Sequence, residues 1–221
     1  MLNENVGKDL AFGQVFIFYK EVKRLDDLLF EAAKAWEYLL DIQYVLNYGM
    51  KDRIAGYVLK FRKEDFFHLA GFQYLNDINI PKYSKAKYLE KVLDRTILGE
   101  HIEKSLNYER DVKPRLEGLV LLNELLHSSF KTYIFRSNCL NFGTRIKAKF
   151  LITNSEMSVI VFLFVDENTE EIAELFCRSI FTKDYRDYTQ NQKAIRIMYK
   201  EIMGKENGVL IGKMPLKNNE I

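Results

Sequence analysis

Hydrophobic residues in the first quarter of the chain recur at spacings of three and four, with charged residues between them. This pattern predicts a long amphipathic helix over residues 15–48, ending at Gly49. One face of that helix would be apolar and would point toward the core. It consists of Leu28, Leu29, Ala32, Ala33, Trp36, Leu39 and Leu40. An alternating segment at residues 56–62 then predicts a short strand.

The middle of the chain continues the helical pattern. A helix is predicted from Lys63 to about residue 75, with two acidic residues in its first turn, where the helix dipole favours negative charge. Further helices are predicted at residues 85–97, 100–108 and 114–131. We therefore expect the N-terminal half to be helical.

From residue 132 onward the period of the pattern changes to two. The clearest case is RIKAKFLIT, residues 145–153, in which apolar side chains alternate with three cations. The segment MSVIVFLFV is apolar on both faces, as a central strand would be. Other strands are predicted at residues 132–136, 174–182 and 194–200. The predicted fold class is α+β, with a helical N-terminal half packed on a C-terminal antiparallel β-sheet.

No repeat, low-complexity segment or linker divides the 221 residues. We therefore expect one domain over residues 1–221. Within it, residues 1–50 would form an N-terminal helical segment and residues 55–200 the core. Residues 204–221 would form a tail with little around which to fold.

Composition and motifs narrow the classes of function. The formal charge of +2 is too small to attract nucleic acid in bulk, so such binding would need local patches. There is no CxxC pair, cluster of metal ligands, glycine-rich phosphate loop, GxSxG or HExxH motif. An enzyme would therefore use side chains without a metal or cofactor. The longest apolar run, residues 159–165, is short against the roughly 20 residues of a membrane span. With no recognisable secretory signal, we expect a cytoplasmic protein with no membrane partner.

His68, in the stretch EDFFHLAGF, is the first candidate for chemistry. On a helix it would lie one turn after Glu64 and Asp65, which favour a charged imidazole, and beside Gly71, which would leave open space. A histidine so placed could transfer protons near neutral pH. Alternatively, it is a partly buried structural histidine paired with Glu64. Spacing alone leaves both interpretations open.

Two basic segments are candidates for binding phosphates. Arg145, Lys147 and Lys149 would lie about 7 Å apart along one strand face, close to the spacing of successive phosphates. The alternative is an ordinary solvated sheet face.

The second segment, residues 178–200, holds six cations and two acids. Its tyrosines Tyr185 and Tyr188 could stack on bases. Ser179 would share a strand face with Cys177 and Phe181, where its hydroxyl needs a partner or a substrate. The alternative is a basic loop with structural tyrosines.

Three stretches together resemble a known family. They are VLKFRKEDFFHLAGFQYLNDI, with its His-Leu-x-Gly element, then KSLNYERDVKPRLEGL, then ELFCRSIFTKDYRDYTQNQKAIRIMYK. The last contains a Ser-x-Phe element, an Asp-x-Tyr element and Gln192. In order and spacing, residues 55–200 resemble the phage-associated barnase/EndoU/colicin/RelE-like (BECR-type) nuclease domains.

The resemblance implies helices packed on an antiparallel sheet and a metal-independent endoribonuclease of phage or toxin type, without a cofactor. RNA would be cleaved by attack of the ribose 2′-hydroxyl, with His68 as general acid or base. Ser179 and Tyr188 would position the phosphate or the attacking hydroxyl, supported by Gln192. A protein inhibitor is a further partner to expect.

The cationic side chains are assigned from the strand pattern instead. Lys147, Lys149 and Arg178 would stabilise charge on the phosphoryl oxygens, and Tyr185 would contact bases. The near-neutral charge keeps an alternative open, a non-catalytic RNA- or protein-binding domain on the same fold. The RNA target and the oligomeric state are not predicted.

Overall fold

The computed structural model describes residues 27–50, 53–168, 173–204 and 210–214. Within these ranges the α-helices are α1 (Leu28–Leu39), α2 (Asp65–Leu69), α3 (Lys85–Leu93), α4 (Gly99–Ile102), α5 (Lys113–Val120) and α6 (Leu122–His127). Short 3₁₀ turns form at Phe72–Tyr74 and Ser137–Cys139, and a π-helical turn, Tyr108–Val112, leads directly into α5. The strands are β1 (Ile42–Met50), β2 (Arg53–Lys60), β3 (Lys131–Ile134), β4 (Phe150–Thr153), β5 (Val161–Glu167), β6 (Glu174–Thr182), β7 (Lys193–Gly204) and β8 (Leu210–Met214).

The sheet closes on itself. Its strand order is β1-β2-β6-β5-β4-β3-β7, and β7 pairs again with β1, while β8 pairs with β7. The β2–β6 pair is parallel and the other pairs are antiparallel. The α+β class is confirmed. The expected open antiparallel sheet is wrong, because the sheet is closed and mixed.

The N-terminal half is also less helical than predicted. The helix expected over residues 15–48 ends at Leu39, and its part before residue 27 lies outside the described residues. Residues 42–50 form strand β1, in which alternate side chains are buried. They are Ile42, Tyr44, Leu46 and Tyr48. Apolar residues are so dense here that the sequence fits both the period of a helix and the period of a strand. Pairing with two neighbouring strands selects the extended form.

Two other predicted boundaries also differ from the structure. Strand β4 begins at Phe150, so the predicted strand at residues 145–153 is wrong for its first part. Ile146 and Ala148 there pack against a cluster of aromatic side chains instead of pairing in the sheet. The predicted tail contributes a strand, β8, to the sheet.

Two hydrophobic clusters lie on opposite faces of β6. The larger one fills the space between the helices and the sheet, and includes Cys177 and Ile180. The smaller one is mostly aromatic, and consists of Phe135, Leu151, Phe162, Phe164, Phe181 and Tyr188. Helix α5 lies directly on β6 at Gly118, where an added Cβ would be 3.1 Å from the Phe181 Cα. This close approach brings the first turn of α5 to the middle of β6.

Candidate functional site

Strand β6 carries a bulge at Arg178. Phe164 of β5 pairs with Ser179 and Val165 pairs with Cys177, so Arg178 has no partner opposite it. A bulge shifts the alternation of side chains by one residue. Cys177 therefore lies in the larger core, whereas Phe181 lies in the aromatic cluster. The expectation that Cys177, Ser179 and Phe181 share one face is wrong for this reason.

Arg115, in the first turn of α5, reaches the residue after the bulge. Its Nη1 donates a hydrogen bond to the Ser179 Oγ at 3.1 Å, and its Nη2 donates to the Tyr74 hydroxyl at 3.2 Å. Its guanidinium also lies 5.1 Å from the centre of the Tyr74 ring and 5.9 Å from that of Phe181. Ser179 itself is buried, with 5% of its surface exposed. Arg115 is thus held in place by neutral groups from two other elements.

Arg115 forms no ion pair in the part of the chain that the structure describes. Burial lowers the pKa of Arg115, and Tyr74 and Asp111 oppose this effect. Among the described residues, no carboxylate oxygen lies within 4 Å of its guanidinium. A fixed, partly buried guanidinium of this kind can bind an anion through parallel N–H donors.

Gly71 provides the space that Arg115 occupies. It ends the turn after α2 with a φ of 87°, a conformation that glycine adopts without strain. A Cβ at this position would lie 3.1 Å from the Arg115 Cδ and 3.3 Å from the Asp111 carbonyl oxygen. The expected open space beside His68 is therefore wrong, because Arg115 and the π-helical turn fill it.

His68 lies on α2 with an exposed side chain. Burial of part of the ring lowers its pKa, and so do the positive charges of Arg115, Arg178 and Lys85. No ion pair between His68 and Glu64 forms in the part of the chain that the structure describes. The expectation that acidic neighbours favour the charged imidazole is wrong, because the neighbours that dominate are cations. Both effects favour the neutral imidazole, the form that accepts a proton.

A cleft of about 870 Å³ opens on the other side of Arg115. We call it the Arg115 cleft. It is lined by residues from the π-helical turn, from the start of α5, from the segment before β4 and from the loop after β6. They are Glu109, Arg110, Asp111, Pro114, Arg115, Gly143, Thr144, Arg145, Ile146, Phe181, Thr182, Lys183, Asp184, Arg186 and Tyr188.

Tyr188 forms part of the wall of this cleft. Its side chain is 2% exposed and packs edge-on against Phe162, Phe164 and Phe181. Burial raises the pKa of its hydroxyl, against the opposing effects of Arg186 and a hydrogen bond with Thr144. Its ring is therefore a core element that also borders the cleft.

The cations of the cleft differ in how they are paired. Arg110 pairs with Asp111, and the Arg186 Nε lies 2.8 Å from Asp184 Oδ2. Arg145 and Lys183 are exposed, and neither has a carboxylate oxygen within 4 Å in the described ranges. These two cations are free to meet an anionic chain at the mouth of the cleft.

Of the predicted site residues, Ser179 and Tyr188 thus surround Arg115. His68 approaches Arg115 closely enough for the two charges to interact, but it does not line the Arg115 cleft. Arg178 also lies near His68. The ring of Tyr185 is 92% exposed beside Arg186, on the loop that borders the cleft.

The other predicted residues lie elsewhere. Lys149 pairs with Glu167 and lies 4.7 Å from the centre of the Tyr57 ring. Lys147 is exposed but does not line the cleft. The side-chain amide of Gln192 bonds the backbone of Arg136, accepting from its N–H at 2.7 Å and donating to its carbonyl at 3.0 Å. Its contacts therefore hold two loops together.

Sequence reasoning missed Arg115. The local pattern around it, PRLEGL, is typical of an exposed cation at a helix start. The usable signal was Gly118, one turn later, because a glycine inside a helix suggests that another element packs closely there.

Within residues 27–50, 53–168, 173–204 and 210–214, no group of three or more His, Cys, Asp or Glu side chains is placed to hold a metal ion. None of the helices in those ranges has the length and apolar character needed to cross a membrane.

Comparison with known families decides the identity. The family model described as phage-Barnase-EndoU-ColicinE5/D-RelE like nuclease4 matches residues 28–213. The chain belongs to this nuclease family. The match runs from α1 into β8 and contains all of the site residues above, which confirms the resemblance seen in the sequence. No curated protein and no solved structure matches the chain.

Proposed function

We propose that the protein is a metal-independent endoribonuclease that cleaves RNA through attack of a ribose 2′-hydroxyl on the adjacent phosphate. The observation that carries the proposal is the placement of Arg115. Its guanidinium is fixed by Ser179 and Tyr74, lacks a close carboxylate among the described residues, and borders an open cationic cleft. A preorganised cation stabilises the charge that builds up on phosphoryl oxygens during such a reaction.

The other side chains take complementary roles in this reaction. His68, whose pKa is lowered by burial and by neighbouring cations, accepts the proton of the 2′-hydroxyl while the hydroxyl oxygen forms a bond to phosphorus. The bond from phosphorus to the 5′-oxygen breaks, that oxygen takes a proton from water, and a 2′,3′-cyclic phosphate remains. Ser179 acts by holding Arg115, and Tyr188 bounds the space for the phosphate. Arg178 adds positive charge near His68, and Arg145 and Lys183 bind the flanking phosphates.

The test is a cleavage assay on single-stranded RNA in the presence of EDTA, with identification of the product ends. We expect cleavage with 2′,3′-cyclic phosphate ends, lost in His68→Ala and Arg115→Ala. His101→Ala is a matched control, since His101 is exposed and does not line the Arg115 cleft. Cleavage that needs an added divalent metal, or a His68→Ala variant as active as the parent protein, would overturn the proposal.

One observation favours a second candidate, a domain that binds RNA or a protein without cutting. His68 does not line the Arg115 cleft, and no hydrogen bond joins it to Ser179 or Tyr188 among the described residues. A protein of this kind would form a salt-sensitive complex with RNA and release no product. The same assay, run beside a binding measurement, separates the two candidates.

A further inference from the structure

A second cleft, of about 520 Å³, opens beside α2 on the side of α3. Its lining is rich in aromatic and amide side chains. It consists of Phe67, Phe72, Gln73, Leu75, Asn76, Ile78, Asn79, Ile80, Lys82, Tyr83, Lys85 and Tyr88. We call it the Tyr83 cleft.

The Tyr83 cleft borders His68. Phe67 is the residue before His68, and the Gln73 Nε2 donates a hydrogen bond to the His68 carbonyl oxygen at 3.1 Å. Lys85, on the rim of the cleft, lies close enough to His68 for its charge to lower the pKa of the imidazole. A ligand in this cleft would therefore lie next to the proposed general base.

The rings of the cleft form one connected set. Phe67 stacks on Phe72 with centroids 5.9 Å apart and planes inclined by 12°, and Tyr88 contacts both rings. Tyr83 meets Tyr88 edge-on at 5.8 Å. Phe67 and Tyr83 are only partly buried, so ring surface remains accessible. Aromatic surface of this kind binds the flat face of a nucleobase.

The charge of the cleft selects among aromatic ligands. Among the described residues, its lining contains Lys82 and Lys85 and no aspartate or glutamate. Neither lysine has a carboxylate oxygen within 4 Å in the described part of the chain. A ligand that carries a flat ring and a negative charge satisfies both features, and the amides of Asn76 and Asn79 offer donors and acceptors to the edge of that ring. The volume is of the size that holds a small ligand.

We infer that the Tyr83 cleft is a nucleobase subsite, which holds one unpaired base of the RNA beside the scissile phosphate. The inference rests on the proposed function, because it takes His68 as the residue at the reacting 2′-hydroxyl. In this arrangement, Tyr83 and Phe67 contact the face of the base, and Lys85 contacts its phosphate. The cleft then determines which bases are accepted next to the cleavage site.

The test uses a single-stranded 2′-O-methyl oligonucleotide, which lacks the attacking hydroxyl and stays intact. Its affinity is measured by fluorescence anisotropy for the parent protein and for Tyr83→Leu, which keeps apolar volume but removes the ring. The loss of one stacked base weakens binding roughly 5- to 150-fold. Tyr199→Leu is the control, because Tyr199 is an exposed tyrosine on β7.

A series of oligonucleotides with one abasic position each then locates the base. We expect one position at which base removal weakens binding to the parent protein but not to Tyr83→Leu. Phe67→Leu repeats the comparison at a second ring. Equal losses in parent and variant at every position would overturn the subsite. If the protein cleaves RNA but the losses are equal in the parent protein and the variant, only the subsite is wrong. If it neither binds nor cleaves RNA, the proposed function is wrong as well.

Discussion

The Arg115 guanidinium donates a hydrogen bond to the Ser179 hydroxyl, with 3.1 Å between Nη1 and Oγ. This contact joins the first turn of α5 to the residue that follows the bulge in β6. It gives the buried Ser179 hydroxyl a hydrogen-bond partner and fixes the orientation of the Arg115 guanidinium.

Replacing Arg115 tests the electrostatic role directly. Arg115→Lys keeps one positive charge but loses the planar pair of donors, so we expect cleavage to fall by about 10²- to 10³-fold. Ser179→Ala keeps the positive charge but removes one of the two hydrogen bonds that hold it, and a hydrogen bond to a charged group corresponds to a loss of roughly 10- to 150-fold. Single-turnover cleavage rates measure both changes, and circular dichroism checks the fold. Equal rates in Arg115→Lys and the parent protein would contradict the role.

The charges around His68 set the pH dependence of cleavage. The pKa of His68 is lowered by burial and then by Arg115, Arg178 and Lys85, so a general base here is active from below its usual pKa upward. Arg178→Gln removes one positive charge, raises that pKa, and should move the acidic limb of the profile to higher pH. The pH profile of kcat/KM measures the shift. Arg196→Gln, at an exposed cation on β7, should leave the limb in place.

Gly71→Ala should destabilise the protein and displace Arg115. The φ of 87° costs a residue with a side chain about 1–2 kcal/mol, and the new Cβ would meet the Arg115 Cδ at 3.1 Å. Gly143→Ala is the matched control, because nothing lies within 4 Å of its Cβ position. Urea unfolding measures both free energies of unfolding, and we expect a change within about 0.5 kcal/mol for the control. Similar values for the two variants would contradict this account of Gly71.

Charge reversal distinguishes two surfaces for RNA, the Arg115 cleft and the row of cations Arg145, Lys147 and Lys149. Arg145 and Lys183 line the Arg115 cleft, whereas the exposed Lys147 does not. The double variant Arg145→Glu, Lys183→Glu should bind RNA more weakly and show a shallower salt dependence. Lys147→Glu should change little. If Lys147→Glu weakens binding as much as the double variant, the RNA follows the row of cations Arg145, Lys147 and Lys149 instead of entering the cleft.

Lys200 provides a prediction about stability. It is 1% exposed and donates to the Leu126 and Ser128 carbonyl oxygens at 2.6 and 2.9 Å, so it caps the end of α6. Burial lowers its pKa from 10.5 to about 8. Between these values the folded protein binds fewer protons than the unfolded chain, and stability gained from Lys200 therefore rises with pH. The free energy of unfolding of the parent protein relative to Lys200→Met should increase from about pH 8 to pH 10.5, and a flat difference would contradict the assignment.

Strand β6 shows which structural features could be predicted from the sequence and which could not. The strand predicted at residues 174–182 has the correct ends, and apolar residues on both of its faces are buried. The bulge at Arg178 was not predictable, since an extra residue in a ladder is defined by the partner strand and leaves no local signal. The consequence was that Cys177 and Ser179 were assigned to one face.

Arg115 was missed for a related reason. Its burial comes from Tyr74, Ser179 and Phe181, which lie far from it in the chain. The local sequence indicates only that a helix starts there. His68 was found because its motif is local, but the charges that act on it, Arg115 and Arg178, come from elements that the fold brings together.

The closure of the sheet has a consequence for synthesis of the protein. Strand β7 pairs with β1 and with β3, so it completes the sheet only after residues 193–204 have been made. Until then β1 and β3 each present an unpaired edge, and contacts so distant in sequence form late. A nascent chain that already carries His68, Arg115 and Ser179 therefore still lacks the strand that completes their framework. On this basis the arrangement of these three side chains is complete only when translation of the domain is nearly finished.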